Sequence, residues 1–253
     1  MKPRKNFLQV AIPDSETFAD VRRGWPDGFV VACLERLWRG WDDLLHYLAS
    51  QNIDPRAVRW EEIEQKERSL AHLHSLYVIN RQCPEDPFLF RPEAHEMEML
   101  HSARAMPPSY DFAFYLRTGN FRVALPVEAK YLLHAQDIQR LCADLTEKYL
   151  SGVGAPFSPV AGILGYVLSG SPEDVFRNIQ LYLSVDLSSA SDFLSRPHRV
   201  GRFSRHIEHA AQDAFDCHWL MCGWDTVSRA DEPGTGEPPP PALTPGDAAI
   251  IAP

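Results

Sequence analysis

The chain has 253 residues, 45% of them hydrophobic, and a formal charge of -9. That is apolar material enough for one sizeable α/β core with an added helical region, or for two small domains. The acidic balance excludes a broad basic surface for gripping nucleic acid, because such affinity comes from neutralising phosphates with Lys and Arg; a local basic patch or a partner subunit can still supply those contacts.

The start, Met1-Lys2-Pro3-Arg4-Lys5-Asn6, lacks the apolar segment of a signal peptide, and no apolar run reaches the length of a membrane span. A cytoplasmic protein is expected, with no membrane partner. Five cysteines at scattered positions (Cys33, Cys83, Cys142, Cys217, Cys222) fit reduced thiols in that compartment. Up to about Gly28 no period is convincing, and the segment reads as an irregular arm. From Phe29 the spacing turns helical, with Val30, Leu34, Leu37, Trp38, Trp41, Leu44, Leu45 and Leu48 on one stripe. A second helix is predicted from Trp60 to Ile79, with Ile63, Leu70, Leu73 and Tyr77 inward and a run of acids outward, making an antiparallel helical pair. The stripe suits a core, or less commonly a face for a protein partner.

After the breakers Gln82 to Pro87 comes Phe88-Leu89-Phe90, then Arg91 to Leu100, where Pro92 and Glu93 suit the first turn of a helix. Two apolar runs follow, Pro107 to Leu116 and Phe121 to Leu132, separated by a turn containing Gly119 and Asn120, which predicts a β-hairpin. Asp111 falls near the start of its first strand. Glu128 and Lys130 fall near the end of the second, two apart and so on one face.

The segment His134 to Leu150 is a strongly amphipathic helix by its spacing, stopped at Ser151-Gly152-Val153-Gly154. Ala161 to Gly170 is nearly uncharged and fits a strand buried on both faces, and Ser171-Pro172-Glu173-Asp174 opens another helix with cap, proline and acids in order. Ser195 to His206 is the dense basic patch of an acidic chain. Arg199, Arg202, Arg205 and His206 there suit contacts to substrate phosphates, or else a surface loop paired with acids such as Asp192 and Glu208. Ala214 to Trp224 reads as a final strand, whose Cys217, His218 and Cys222 point to different faces and do not make a zinc site. From Ser228 the proline-rich tail cannot build a core and is expected to be disordered.

An acid on one strand, facing an acid and a lysine on the next, suits phosphodiester chemistry. Two carboxylates can hold a hard cation that keeps waters and takes phosphate oxygens as ligands, while an ammonium group orients a water or offsets developing charge. Asp111, then Glu128-Ala129-Lys130 after a hairpin, resembles the motif of the PD-(D/E)xK nuclease superfamily, although Tyr110 stands where the family has proline. The resemblance implies a restriction-endonuclease-like αβββαβ core with a mixed central sheet at residues 88–227, preceded by the arm and helical pair at 1–87 and followed by the disordered tail at 228–253. It implies Mg²⁺ or Mn²⁺ as cofactor, with Asp111 and Glu128 as metal ligands and Lys130 as the catalytic lysine. In such folds the first helix often carries an extra acid near the metal; Glu96 is the preferred candidate and Glu93 the next. The function implied is metal-dependent hydrolysis of DNA, in DNA processing or antiviral defence, with a protein partner or a second copy able to assist. The alternative is a catalytically silent adaptor of the same fold.

Overall fold

The computed structural model describes residues 25–56, 63–95, 108–117, 123–133, 137–156, 158–205 and 213–224. Two helices come first, α1 (Phe29–Ser50) and α2 (Ile63–Asn80), followed by strands β1 (Phe88–His95), β2 (Ser109–Leu116) and β3 (Ala124–Leu132). Helix α3 (Asp137–Ala143) runs on into a π-helical segment (Asp144–Leu150), and then come β4 (Val160–Val167), α4 (Pro172–Leu183), β5 (Leu187–Ser189), β6 (His198–Arg205) and β7 (Asp213–Gly223). The fold is α/β, with one seven-stranded mixed sheet in the order β1-β2-β3-β4-β7-β6-β5. The pairs β3/β4 and β4/β7 are parallel and the other four are antiparallel. The arm as far as residue 24 and the proline-rich tail lie outside the described residues.

The helical pair covers one face of this sheet. Phe29, Leu34, Leu37, Trp41 and Leu44 of α1 recur at helical spacing and share an apolar cluster with Phe112 and Phe114 of β2, Val127 and Tyr131 of β3 and Tyr166 of β4. Each large apolar side chain so buried stabilises the fold by about 1.5–3 kcal/mol. The helices cross closely at Gly40, where a Cβ would come within 2.6 Å of Val78 Cγ2. His74 of α2 ties the layers together. Its Nε2 lies 2.9 Å from the Leu37 carbonyl, which can only accept, so Nε2 carries the proton and Nδ1 accepts from the Tyr166 hydroxyl at 3.0 Å. The opposite face is covered by α3, the π-helical segment and α4, whose Leu141, Leu145, Tyr149, Phe176 and Ile179 pack on Ile163 of β4 and Trp219 of β7. Strand β4, with apolar contacts on both faces, is the predicted central strand.

Ser171 caps α4 as its sequence implies, accepting from the Asp174 amide at 3.2 Å. The helix expected from Arg91 is corrected: residues 91–95 continue strand β1. Pro92 is tolerated there because β1 is an edge strand, and a proline on an edge costs the sheet no ladder bond. Glu96, assigned to that helix, lies outside the described residues. The basic patch, for which a surface loop is the alternative to a substrate contact, forms strand β6 from His198 to Arg205, paired along its length with β7. Residues 118–122, including the hairpin turn, are not described, but the strands on either side pair as expected. All five cysteines are free thiols.

Candidate active site

The site is built where the sheet forks. Strands β2 and β3 pair from Tyr115↔Ala124 to Phe112↔Val127 and then part, while β3 keeps its pairing with β4 as far as Leu132↔Val167. The parting leaves amides of β3 in need of other acceptors, since a buried N–H without one costs free energy. Two carboxylates supply them. Asp111 Oδ2 accepts the Ala129 N–H at 2.7 Å, and Glu67 Oε2, arriving from α2, accepts the Tyr131 N–H at 3.2 Å. An acid from a strand and an acid from a helix are thereby brought against the Glu128-Ala129-Lys130 run.

Glu128 is 6% exposed. Burial, and next the charge of Asp111, push its carboxyl up to about 8, against the pull of Lys148 and Lys130. The two ammonium groups divide its oxygens between them: Lys148 donates to Oε1, and Lys130 Nζ lies 3.9 Å from Oε2. Lys130 also meets Asp144 Oδ2 at 3.0 Å and Glu67 Oε1 at 3.2 Å. Burial lowers the Lys130 pKa, but Asp144, Glu67, Glu128 and Asp111 together outweigh it and hold it above its ordinary value, so the group is an ammonium. Glu67 itself is raised by burial, in opposition to Lys130.

Asp144 and Lys148 both come from the π-helical segment. The wider turn brings residues four apart closer to alignment along the axis than an α-helix does, and such segments are frequent at functional sites. The Lys148 ammonium lies 4.7 Å from the Tyr110 ring centroid and donates to the Ser109 carbonyl as well as to Glu128. Gly154 leaves room for its stem, because a Cβ there would come within 2.8 Å of Lys148 Cγ. The Tyr110 hydroxyl in turn accepts the Ala155 N–H at 2.5 Å. The residue in place of the motif's proline is thus part of the packing around the site.

A polar cleft of about 480 Å³ opens over this network, lined by Asp111, Glu128 and Lys130 together with Glu67, Arg68, Glu93, His95 and Arg140. The three motif residues therefore share one cleft. Glu93 stands across from Asp111 in the β1/β2 register, between the pairs Pro92↔Phe112 and Ala94↔Tyr110, with a left-handed φ of 48°. Among the described residues no group of three or more His, Cys, Asp or Glu side chains is arranged to hold a metal ion. Two carboxylate oxygens remain available to a cation that keeps its waters: Asp111 Oδ1, which has no hydrogen bond among the described residues, and Glu128 Oε2. An all-oxygen pair whose charges oppose each other fits a hard divalent ion.

The predicted substrate contacts on β6 are not at this cleft. Arg199 bonds Glu173 at 3.1 Å and Arg202 bonds Asp216 at 2.9 Å, so the pairing with acids holds, with other partners than those expected. Arg205 is 2% exposed and donates to the carbonyls of Ala155, Pro156 and Ser158, which makes it an interior strut and not a surface contact. His206 and Glu208 lie outside the described residues. Cys217 and Cys222 belong to opposite apolar clusters, as their spacing implies, and His218 bonds His198 at 3.0 Å.

Glu67, Asp144 and Lys148 were not legible as site residues. Each sits in a charged helical stretch that resembles a solvated face, and only a fixed alignment of helix against fork would have singled it out. No family model matches the chain, and neither a curated protein nor a solved structure matches it.

Proposed function

We propose that this chain is a metal-dependent nuclease with a restriction-endonuclease-like core, hydrolysing phosphodiester bonds of DNA. The reading is carried by the meeting of Asp111, Glu128 and Lys130 in one cleft at the β2/β3 fork. The succession α2, β1, β2, β3, α3, β4 supports it, being the αβββαβ order that the resemblance implies. In that order α2 takes the place of the first helix, and its acid at the site, Glu67, holds Lys130 and the Tyr131 amide.

Asp111 and Glu128 would hold Mg²⁺ or Mn²⁺. Such an ion supplies positive charge against phosphate oxygens and lowers the pKa of a coordinated water. The chain's own groups do the rest. Asp111 is aimed by the Ala129 amide and Glu128 by Lys148, so their remaining oxygens are fixed before substrate arrives. Lys130 is held on the cleft wall by Glu67 and Asp144, and its ammonium can donate to an attacking water or a phosphate oxygen. A setting in DNA processing or defence against foreign DNA follows from the resemblance alone. A silent adaptor has less in its favour, since it gives no reason for buried acids and lysines to converge on an open cleft.

Incubation with supercoiled plasmid and with labelled oligonucleotides, in Mg²⁺ and in EDTA, tests the proposal. Cleavage is expected in Mg²⁺ alone, with Asp111→Ala, Glu128→Ala and Lys130→Ala each lowering it by about 100-fold or more. Cleavage indifferent to all three substitutions would overturn it.

A further inference from the structure

The arginines of this protein divide into two groups. Ten of the thirteen among the described residues donate to an acid or a backbone carbonyl. The other three are Arg68, Arg91 and Arg140. Arg68 and Arg140 line the cleft, on α2 and α3, and Arg140 has only a long contact of 3.8 Å to Glu67 at 43% side-chain exposure. Arg91 is exposed on β1, opposite Ala113, and does not line the cleft. In a chain of charge -9, two of the three described guanidinium groups without a close partner thus stand at one acidic opening.

We infer that Arg68 and Arg140 are the phosphate grip of this site: they hold the sugar-phosphate backbone of a nucleic-acid strand across the cleft mouth. The inference rests on the nuclease reading for its choice of partner. An acidic floor repels a polyanion, so a strand can approach only if the rim offsets that charge. A guanidinium not committed to a carboxylate presents its planar fork to phosphate oxygens. The arginines of β6 cannot serve in this way, because each would first have to break a bond it already makes. With so few contacts, binding is weak and its salt dependence shallow. Two phosphate contacts give a slope of log K against log salt of about -1.4 to -1.8, from about 0.7 per contact on single strands to 0.9 on duplex.

The test is fluorescence anisotropy of fluorescein-labelled oligonucleotides, single-stranded and duplex, titrated with the full chain in EDTA at 25–200 mM KCl, where metal-dependent cleavage cannot occur. Arg68→Ala with Arg140→Ala is expected to weaken binding at least tenfold at 50 mM salt and to flatten the slope by about 1.4–1.8. Arg199→Ala with Arg202→Ala removes the same charge and is expected to change affinity less than twofold. Equal losses in the two pairs, no loss in the first, or no binding by the unaltered chain would each overturn the grip. Binding that follows this pattern in a chain that fails to cleave in Mg²⁺ would sink the nuclease reading and leave the grip standing.

Discussion

Glu67 Oε1 lies 3.2 Å from Lys130 Nζ, although 63 residues separate them. The same carboxylate takes the Tyr131 amide with its other oxygen, so one acid from α2 both closes the edge of the fork and fixes the lysine of the Glu-Ala-Lys run. Glu67→Ala is expected to cost about 2–4 kcal/mol, since it leaves an amide and a largely buried ammonium without that partner. Glu67→Gln keeps the amide bond and loses the charge, and is expected to fall between the two. Urea unfolding measures both; a midpoint for Glu67→Ala equal to that of the parent would refute the role given to this residue.

Burial of Glu128 has a consequence for metal binding. Its folded pKa is raised to about 8, so in the metal-free fold the carboxyl keeps its proton at neutral pH, while a divalent ion requires the charged form. Mg²⁺ or Mn²⁺ affinity is therefore expected to rise about tenfold per pH unit up to that pKa and to level off above it. Calorimetry in buffers of different ionisation enthalpy is expected to find close to one proton released per ion at pH 7. An affinity flat from pH 6 to pH 8, with no proton released, would remove Glu128 from the ligand set.

How much of this was open to sequence reasoning depends on the distance over which each feature is set. The hairpin strands, the buried run of β4 and the cap of α4 are local patterns, and Asp111, Glu128 and Lys130 meet in one cleft because a strand pair fixes their spacing. Pro92 misled because proline is compatible with a helix start and with an edge strand alike, and the edge position of β1 is a property of the whole sheet. Arg205 misled for a related reason. Nothing within Arg199-Val200-Gly201-Arg202-Phe203-Ser204-Arg205 tells which guanidinium will be swallowed by the turn at Ala155 to Ser158, some fifty residues upstream.

Stability of the metal-free protein is expected to peak near pH 6.5. Burial lowers His74 to about 4 against the smaller pull of the Leu37 carbonyl, and His218 to about 4 against those of Asp216 and Asp192, while burial, helped by His218 and Arg199, lowers His198 to about 3. As pH falls below 6.5 the unfolded chain takes up these protons before the folded one does, so stability present above that pH is lost on the way to about 4. The His74 shift alone corresponds to about 3 kcal/mol at most. Glu128 acts in the opposite sense: its raised pKa favours the fold while the carboxyl is protonated, and that contribution declines as pH rises from about 4.5 to about 8. Three histidines outweigh one carboxyl below 6.5, and above it the carboxyl acts alone. Urea midpoints at pH 5, 6.5 and 8 check the shape. A midpoint at pH 5 equal to that at 6.5 would contradict it, and added Mg²⁺ is expected to raise the value at pH 8 most.

Arg205 separates a substrate contact from a strut. Its guanidinium serves three carbonyls of the turn from Ala155 to Ser158 and lies 4.7 Å from the Phe215 ring centroid, and the Ala155 amide in the same turn holds the Tyr110 hydroxyl. Arg205→Met fills most of the same volume but satisfies none of those carbonyls, and each buried acceptor left unpaired costs about 1–3 kcal/mol. A total loss of about 3 kcal/mol or more is expected in urea unfolding. Nucleic-acid affinity in EDTA, measured at a temperature where the variant is still folded, is expected to stay within twofold of the parent. A variant of parental stability that binds oligonucleotides tenfold more weakly would reverse the assignment, returning Arg205 to the surface and β6 to the substrate.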